Sequence, residues 1–363
     1  TGSALVGYAR QMALTVDGYT GAETLTNMPV LARLSTAISG FDYNDFASPS
    51  NGADLAFFDA NGRRLAYEID EWRTNGESLV WVKLPELRKG MRFTAAWGGV
   101  PMYGHAPDRS ASDGHEVWCD YAGVWHMNED SGTAYDSTAN GLDGIPGCGT
   151  NALADVRQMV AYENGACGRA RVNGMLNVKG GNYLHVPASR RFSLGGNFCT
   201  EGWFRVENQI QLASENDYDD PRLVSLKPVH YDQETGFEMQ FENGADHFYV
   251  KARAKSGGRV ICPTALKTWV KLLAEFSGTN LNLYANGVFL TNRVIKAVCD
   301  DDANTMGFGG SASGIWSLNG QYDEIRLRGG TLSADWIKAD YDMIKNRDFL
   351  IYGPVKNGMG AAE

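Results

Sequence analysis

The sequence predicts an all-β protein built from two tandem β-sandwich domains, and three observations predict it. Glycine is in excess, 43 of 363 residues, as expected where many short strands meet at tight turns. Short apolar segments rich in β-branched and aromatic residues recur at close spacing from residue 5 onward. A stretch rich in Gly, Pro, Ser and Asp over residues 98–116 divides those segments into two series.

The first series comprises residues 5–16, 28–34, 53–59, 64–69, 78–84 and 91–97. The turn Asp59-Ala60-Asn61-Gly62 sits between two of them, and Asn-Gly supplies the positive φ values a hairpin needs. About six strands in ~100 residues is the density of a β-sandwich. The second series begins at Val117, with strands expected over residues 122–127, 183–186, 198–206, 223–226, 237–241, 248–252, 269–276, 280–285, 305–308 and 321–327. Roughly ten strands suit a jelly roll of two stacked antiparallel sheets. One short helix is expected near the C-terminus: Ser333 is a suitable N-cap, and Trp336, Ile337, Ala339, Asp340 and Ile344 recur at helical spacing. The division expected is therefore a sandwich over residues 1–104, a linker over 105–116, a jelly roll over 117–350 and an unstructured tail over 351–363.

Composition narrows the function. A hydrophobic share of 43% with 9 Trp, 16 Tyr and 15 Phe is enough for genuine cores. The net charge of −10 argues against nucleic acid, since a phosphate backbone needs a basic face. A local arginine pair could still hold an acidic or sulfated sugar. No apolar run approaches the length of a membrane span, so no membrane insertion is expected. Thr1-Gly2-Ser3 does not read as a signal peptide, and an export or anchoring segment is expected outside this stretch. Cys119, Cys148, Cys167, Cys199, Cys262 and Cys299 form no C-x-x-C pair, which argues against a zinc ribbon or a thioredoxin-like site. Disulfides fit an exported protein, but the pairing is open.

Particular residues carry a family resemblance. Asn27-Met28-Pro29-Val30-Leu31, Gly52-Ala53-Asp54-Leu55, Asp59-Ala60-Asn61-Gly62, Leu65-Ala66-Tyr67-Glu68-Ile69 with Trp72, and Val80-Trp81-Val82-Lys83-Leu84-Pro85 resemble a bacterial domain-of-unknown-function family, number 2341. In the second half, Gly123-Val124-Trp125-His126-Met127-Asn128-Glu129, Glu201-Gly202-Trp203-Phe204, Leu283-Tyr284-Ala285-Asn286-Gly287 and Tyr322-Asp323-Glu324-Ile325-Arg326-Leu327 resemble concanavalin A-like, laminin G-type jelly rolls. The pairing implies a recognition module of an extracytoplasmic bacterial protein, secreted or held at the cell surface. It implies no particular ligand.

Catalysis finds little support. Glu68-Ile69-Asp70-Glu71-Trp72 is similar to the E-x-D-x-E ladder of some concanavalin-fold glycoside hydrolases, in which alternate residues share one strand face. Here Glu71 falls on the opposite face and Trp72 replaces the last acid, so solvated acids at a strand end are the better reading. No H-x-x-x-H pair, nucleophile elbow or phosphate loop is present. His126 lies in an apolar strand and reads as a satisfied core histidine.

A calcium ion is the sharper metal hypothesis. Asp136-Ser137-Thr138-Ala139-Asn140-Gly141-Leu142-Asp143-Gly144 is rich in hard oxygen donors, and in the resembling jelly rolls this turn lies beside the segment of Asp323. The expected ligands are Asp136 and Asp323, with Asn140 or Asp143 contributing in a structural role. The alternative is that Asp136 and Asn140 bond their own turn while Asp323 pairs with Arg326 or Arg328.

Sugar binding needs an aromatic platform and planar polar side chains. Trp316 in a polar Gly-rich loop, Tyr231 between His230 and Asp232, and Tyr218, Asp219 and Arg222 in another polar loop are the candidates. The opposing reading packs such aromatics back onto the sandwich. Trp81, Trp125, Trp203 and Trp269 lie in apolar strands and are expected in the core. The function expected is a monomeric, non-catalytic glycan-binding module. The alternatives are a structural or protein-binding spacer and, third, an unrecognised carbohydrate-active enzyme.

Overall fold

The computed structural model describes residues 5–99, 112–129, 132–148, 160–162, 165–173, 175–177, 180–187, 189–192, 194–207, 220–226, 236–242, 245–252, 259–295, 305–310 and 316–358. In chain order its elements begin with β1 (Arg10–Val16), β2 (Leu25–Leu34), β3 (Ala56–Phe58), β4 (Arg64–Leu65), β5 (Tyr67–Glu71), β6 (Ser78–Leu87), β7 (Arg92–Trp97) and α1 (Ser112–Val117). There follow β8 (Gly123–Trp125), β9 (Ile145–Cys148), β10 (Val160–Tyr162), β11 (Ala170–Asn173), β12 (Met175–Asn177), β13 (Gly180–Val186), β14 (Asn197–Val206) and β15 (Arg222–Leu226). Next come β16 (Phe237–Glu242), β17 (His247–Ala252), β18 (Arg259–Pro263), β19 (Val270–Ser277), β20 (Asn280–Ala285), β21 (Val288–Val294), β22 (Met306–Phe308) and β23 (Gly320–Gly329). The chain closes with α2 (Ala334–Lys345), β24 (Leu350–Tyr352) and β25 (Lys356–Asn357).

Two compact units divide the chain, Cys119–Ala334 and the remainder, Thr1–Trp118 with Asp335–Glu363. This differs from the expected division at its C-terminal side. The residues read as the end of the jelly roll and as a tail belong with the first unit. β24 pairs with β1 (Leu14 opposite Tyr352, Val16 opposite Leu350), and β25 pairs Asn357 with Arg10. Asp335 Oδ2 accepts from the backbone N–H groups of Ala22 (2.7 Å) and Glu23 (2.9 Å). Such short strands, broken by Gly353-Pro354, carry no periodic signal of their own; their ladder partner lies more than 300 residues away. The expected linker also changes at its end. Ser112–Val117 is helical, and Trp118 packs edge-on against Trp81 at 5.4 Å.

The first unit stacks a sheet of order β24-β1-β7-β3-β4, with β25 beside β1, and a three-stranded sheet β2-β6-β5. The segment 64–69, read as one strand, divides between them. Leu65 pairs with Phe57 in the larger sheet and Tyr67 with Val82 in the smaller. Val16, Val30, Phe57, Trp81, Val82 and Trp97 are fully buried, each large apolar side chain contributing about 1.5–3 kcal/mol. Trp72 is structural. Its Nε1–H donates to the Pro49 carbonyl at 2.8 Å, and its ring meets Tyr43 and Phe46 edge-on. Gly52 holds φ +63° and faces that ring, where a Cβ would stand 2.5 Å from it.

The second unit is a sandwich of two eight-stranded sheets. One has order β10-β11-β23-β14-β19-β20-β21 with β8 beside β23; the other has order β12-β13-β22-β15-β16-β17-β18 with β9 beside β13. Between them lies one core, including Trp125, Phe198, Phe237, Phe276 and Phe308. Phe198 stacks on Phe276 at 4.5 Å, and Phe237 meets both within 5.5 Å. Trp81, Trp125 and Trp203 are buried as expected, whereas Trp269 stands just before β19 and is only half-buried. β18 and β21, unread in the sequence, are edge-side strands with much of their length exposed.

Candidate functional site

The polar face of the β15–β18 sheet is built by strict alternation. On β16, Phe237, Met239 and Phe241 enter the core, so Glu238, Gln240 and Glu242 take the opposite face. On β17, Phe248 and Val250 enter it, and His247, Tyr249 and Lys251 share the polar face. The register sets Gln240 opposite Tyr249, Glu238 opposite Lys251 and Glu242 opposite His247.

These side chains form one network. Glu238, fully buried, accepts from Arg222 Nε at 3.1 Å, lies 3.3 Å from Lys251 Nζ, and accepts from the Gln240 amide. The Tyr249 hydroxyl donates to Asp220 Oδ2 at 2.7 Å and also contacts Gln240. Burial, and then the charge of Asp220, push the Tyr249 phenol far up from its ordinary value. Glu242 accepts from His247 Nε2 at 2.6 Å and Arg259 Nη1 at 2.8 Å. The Arg222 guanidinium lies 4.2 Å from the centre of the Trp316 ring, and Arg222 N–H donates to the Trp316 carbonyl at 2.9 Å. This is a desolvated cation–π pair.

The structure brings Arg222 and Trp316 together and corrects how both were read. Trp316 is only 9% exposed, with a left-handed φ of 58°, so it is not an open platform; Arg222 begins β15 and is buried. Tyr218, Asp219 and Tyr231 lie outside the described residues. Asp220, Glu238, Gln240 and Tyr249 were missed in the sequence. The signal was the alternation at 238, 240 and 242 against 247, 249 and 251, which gives the strands but not the burial of their polar side.

The expected calcium set does not assemble. Asp136 Oδ1 accepts from Val124 N and Thr138 N, each at 3.0 Å, and Oδ2 from Thr138 Oγ1 (2.8 Å) and Leu142 N (2.9 Å). A carboxylate offers about four lone-pair positions, and the chain's own donors fill them. Asp136 is thus the organiser of its turn. Burial raises its pKa, and the four donors oppose that rise. Asn140 donates to the Ala122 carbonyl at 3.0 Å, and Asp143 Oδ1 accepts from Asp136 N at 3.0 Å. Asp323 is fully buried and accepts from Cys167 N at 2.8 Å. Among the described residues Asp136, Asp143 and Asp323 do not converge as a three-carboxylate group. These residues do not fit a shared calcium ion.

A second polar constellation lies on the outer face of the other sheet. His126 Nδ1 lies 2.8 Å from Glu324, Glu324 pairs with Arg326 at 2.6 Å, Arg326 reaches Glu201 at 3.5 Å, and Lys271 lies 3.1 Å from Glu201. All five are nearly fully buried. Burial alone would raise the Glu324 pKa, but His126 and Arg326 outweigh it and hold the carboxyl below its usual range. Glu324 sits at φ +50° beside a bulge between β14 and β23, which turns it toward both partners. Each acid of this buried chain is paired with at least one cation of the same set, Glu324 with Arg326 and Glu201 with Lys271, the arrangement of a structural ion network. Two acids of the first unit are likewise consumed: Glu68 accepts from Trp118 Nε1 at 2.5 Å and Asp70 from Trp81 Nε1 at 3.2 Å. They serve the indoles rather than standing as solvated acids. Cys199 and Cys262 are buried thiols, and burial raises the Cys262 pKa to about 11.

Two family models agree with this architecture. Residues 178–338 match the family model of the concanavalin A-like lectin/glucanases superfamily. Residues 51–140 match that of a domain of unknown function, DUF2341. No curated protein matches the chain. Among solved structures, it is similar to the binding domain of botulinum neurotoxin DC in complex with rat synaptotagmin II, with 9% identity, 63% of this chain and 52% of that one covered, and a TM-score of 0.45. It is also similar to domain 4 of AbnA, an extracellular arabinanase from Geobacillus stearothermophilus, in complex with arabinotriose, with 16% identity, 61% and 98% covered, and a TM-score of 0.43. The chain spans about half the length of the toxin binding domain. No helix of the described residues is long and apolar enough to cross a membrane. The chain carries a domain of unknown function 2341 followed by a concanavalin A-like jelly-roll domain.

Proposed function

We propose that the protein is a non-catalytic glycan-recognition module of a secreted or cell-surface protein, and that it binds through the polar face of β15–β18. The observation that carries this reading is the cluster of Arg222, Glu238, Gln240 and Tyr249 beside Trp316, fixed on paired strands. Planar polar groups held in a network suit the hydroxyls of a sugar, since a rigid site loses less entropy on binding. Glu238 is held by Arg222 and Lys251, and Glu242 by Arg259. That engagement supports a binding role over an acid–base pair.

The spacer reading is favoured by one observation, the burial of Trp316. A glycan array with the full chain separates the two. Each hit is repeated on Gln240→Ala and Trp316→Ala, with folding checked by circular dichroism. Loss of a hit in either folded variant supports the polar face. Silence across neutral and acidic glycans sinks the reading and leaves the spacer.

A further inference from the structure

A cleft of about 560 Å³ opens in the first unit between the β3–β4 turn and the β6–β7 connection. Arg63, Arg64, Arg88 and Arg92 line it, and all four are exposed. Two acids, Asp59 and Glu86, share the lining, so cations prevail locally on a chain of net charge −10. Leu65, Pro85 and Met91 add apolar surface.

Three of the arginines, Arg63, Arg88 and Arg92, are available. Asp59 Oδ1 closes its own turn, accepting from Asn61 N and Arg63 N at 2.8 Å each. Glu86 is exposed. Among the described residues Arg63, Arg88 and Arg92 engage no carboxylate. Arg64 leans over the Tyr67 ring at 5.9 Å and stands at the rim.

Their backbones are fixed. The Arg63 carbonyl accepts from Asp59 N at 2.9 Å, and the Arg88 carbonyl from Met91 N at 3.1 Å. Gly90, at φ +78°, donates to the Val16 carbonyl at 2.7 Å, and Arg92 lies opposite Thr15 in the β1–β7 ladder. Three guanidinium forks, two from turns and one from the start of β7, line one concavity. Each fork can hold a carboxylate or sulfate bidentately.

We propose that this cleft is an anion site for a polysaccharide carrying sulfate or carboxylate groups, separate from the polar face of the jelly roll. The guanidinium forks take the anionic groups, and the apolar surface takes the C–H face of the sugar ring. The proposal borrows the glycan as ligand class from the functional reading, but the site stands on its own residues. A nucleic acid or an anionic bilayer would need a broad basic field, which a net charge of −10 disfavours.

The test uses the full chain with dextran sulfate, polygalacturonate and neutral dextran, followed by calorimetry at low and high salt. Binding to at least one polyanion and not to neutral dextran is expected, weakening with salt. Arg63→Ala, Arg88→Ala and Arg92→Ala are each expected to weaken it roughly tenfold, and Glu86→Gln to strengthen it. Preference for one polyanion assigns sulfate or carboxylate. Arg→Lys at the same positions is expected to restore only part of the binding, because lysine lacks the fork. Gln240→Ala is expected to leave it unchanged, which keeps this site's failure distinct from that of the polar face. Unchanged polyanion binding in the folded triple alanine variant overturns the proposal. Equally tight binding to neutral dextran, or to phosphatidylserine vesicles through the same arginines, overturns the ligand assignment.

Discussion

Asp136 shows how one side chain can fix a loop without an ion. Four donors within its turn and from Val124 converge on its two oxygens, and three of those donors are backbone groups that have no other partner when the carboxylate is lost. Asp136→Asn keeps the shape but sets an amide N–H₂ against donors. It is expected to cost about 2 kcal/mol, read as an equal fall in thermal midpoint with added calcium and with chelator. A loss seen only with calcium would restore the metal reading. Lys271 offers a second residue-scale test. Burial pulls its ammonium down from 10.5 to about 8, against the pull of Glu201. A depressed folded pKa means the unfolded chain holds more protons between those values. The resulting stability is fully present above about 10.5 and is lost as pH falls through about 8. The stability of the wild type relative to Lys271→Met should therefore rise from pH 8 to pH 10 in urea titrations; a constant difference refutes the assignment.

At the scale of elements, the two sheets of the jelly roll divide their labour. Each turns one apolar face to the common core, and the faces left over carry charge. One closes into the ion chain of Glu324, Arg326, Glu201 and Lys271; the other carries the Arg222–Glu238–Gln240–Tyr249 network. The first unit depends on an element from the far end of the chain. β24 and β25 cover an edge of β1 that would otherwise present unpaired N–H and C=O groups. Truncation after Asn346 is expected to lose hydrogen-exchange protection along β1 and β7 while β14 and β19 keep theirs. Equal loss in both sets would contradict the division into two units. The β21 strand, with Val288, Phe289 and Val294 exposed, is one edge of the second unit with no further strand paired to it among the described residues.

For the whole molecule, the reading is of two independently built faces with different chemistry. The polar network in the second unit joins both charge signs with an amide and a phenol, a set we read as suited to hydroxyl recognition. The arginine cleft in the first is open and cationic, suited to charge.

Much of this was legible in the sequence. The β class, the order of two domains, the C-terminal helix and most strands follow from alternation, turn residues and glycine excess, because these are local properties of the chain. Alternation also says that Glu238 and Gln240 share a face, and turn chemistry that Asp59 closes a hairpin. What the tertiary structure decided is which distant segments meet. It paired residues 350–357 with β1, covered Trp316 with Arg222, filled Asp136 with the chain's own donors and gathered Arg63, Arg88 and Arg92 around one cleft. Local periodicity fixes the direction in which a side chain points; only the long-range register of the sheets fixes what it points at.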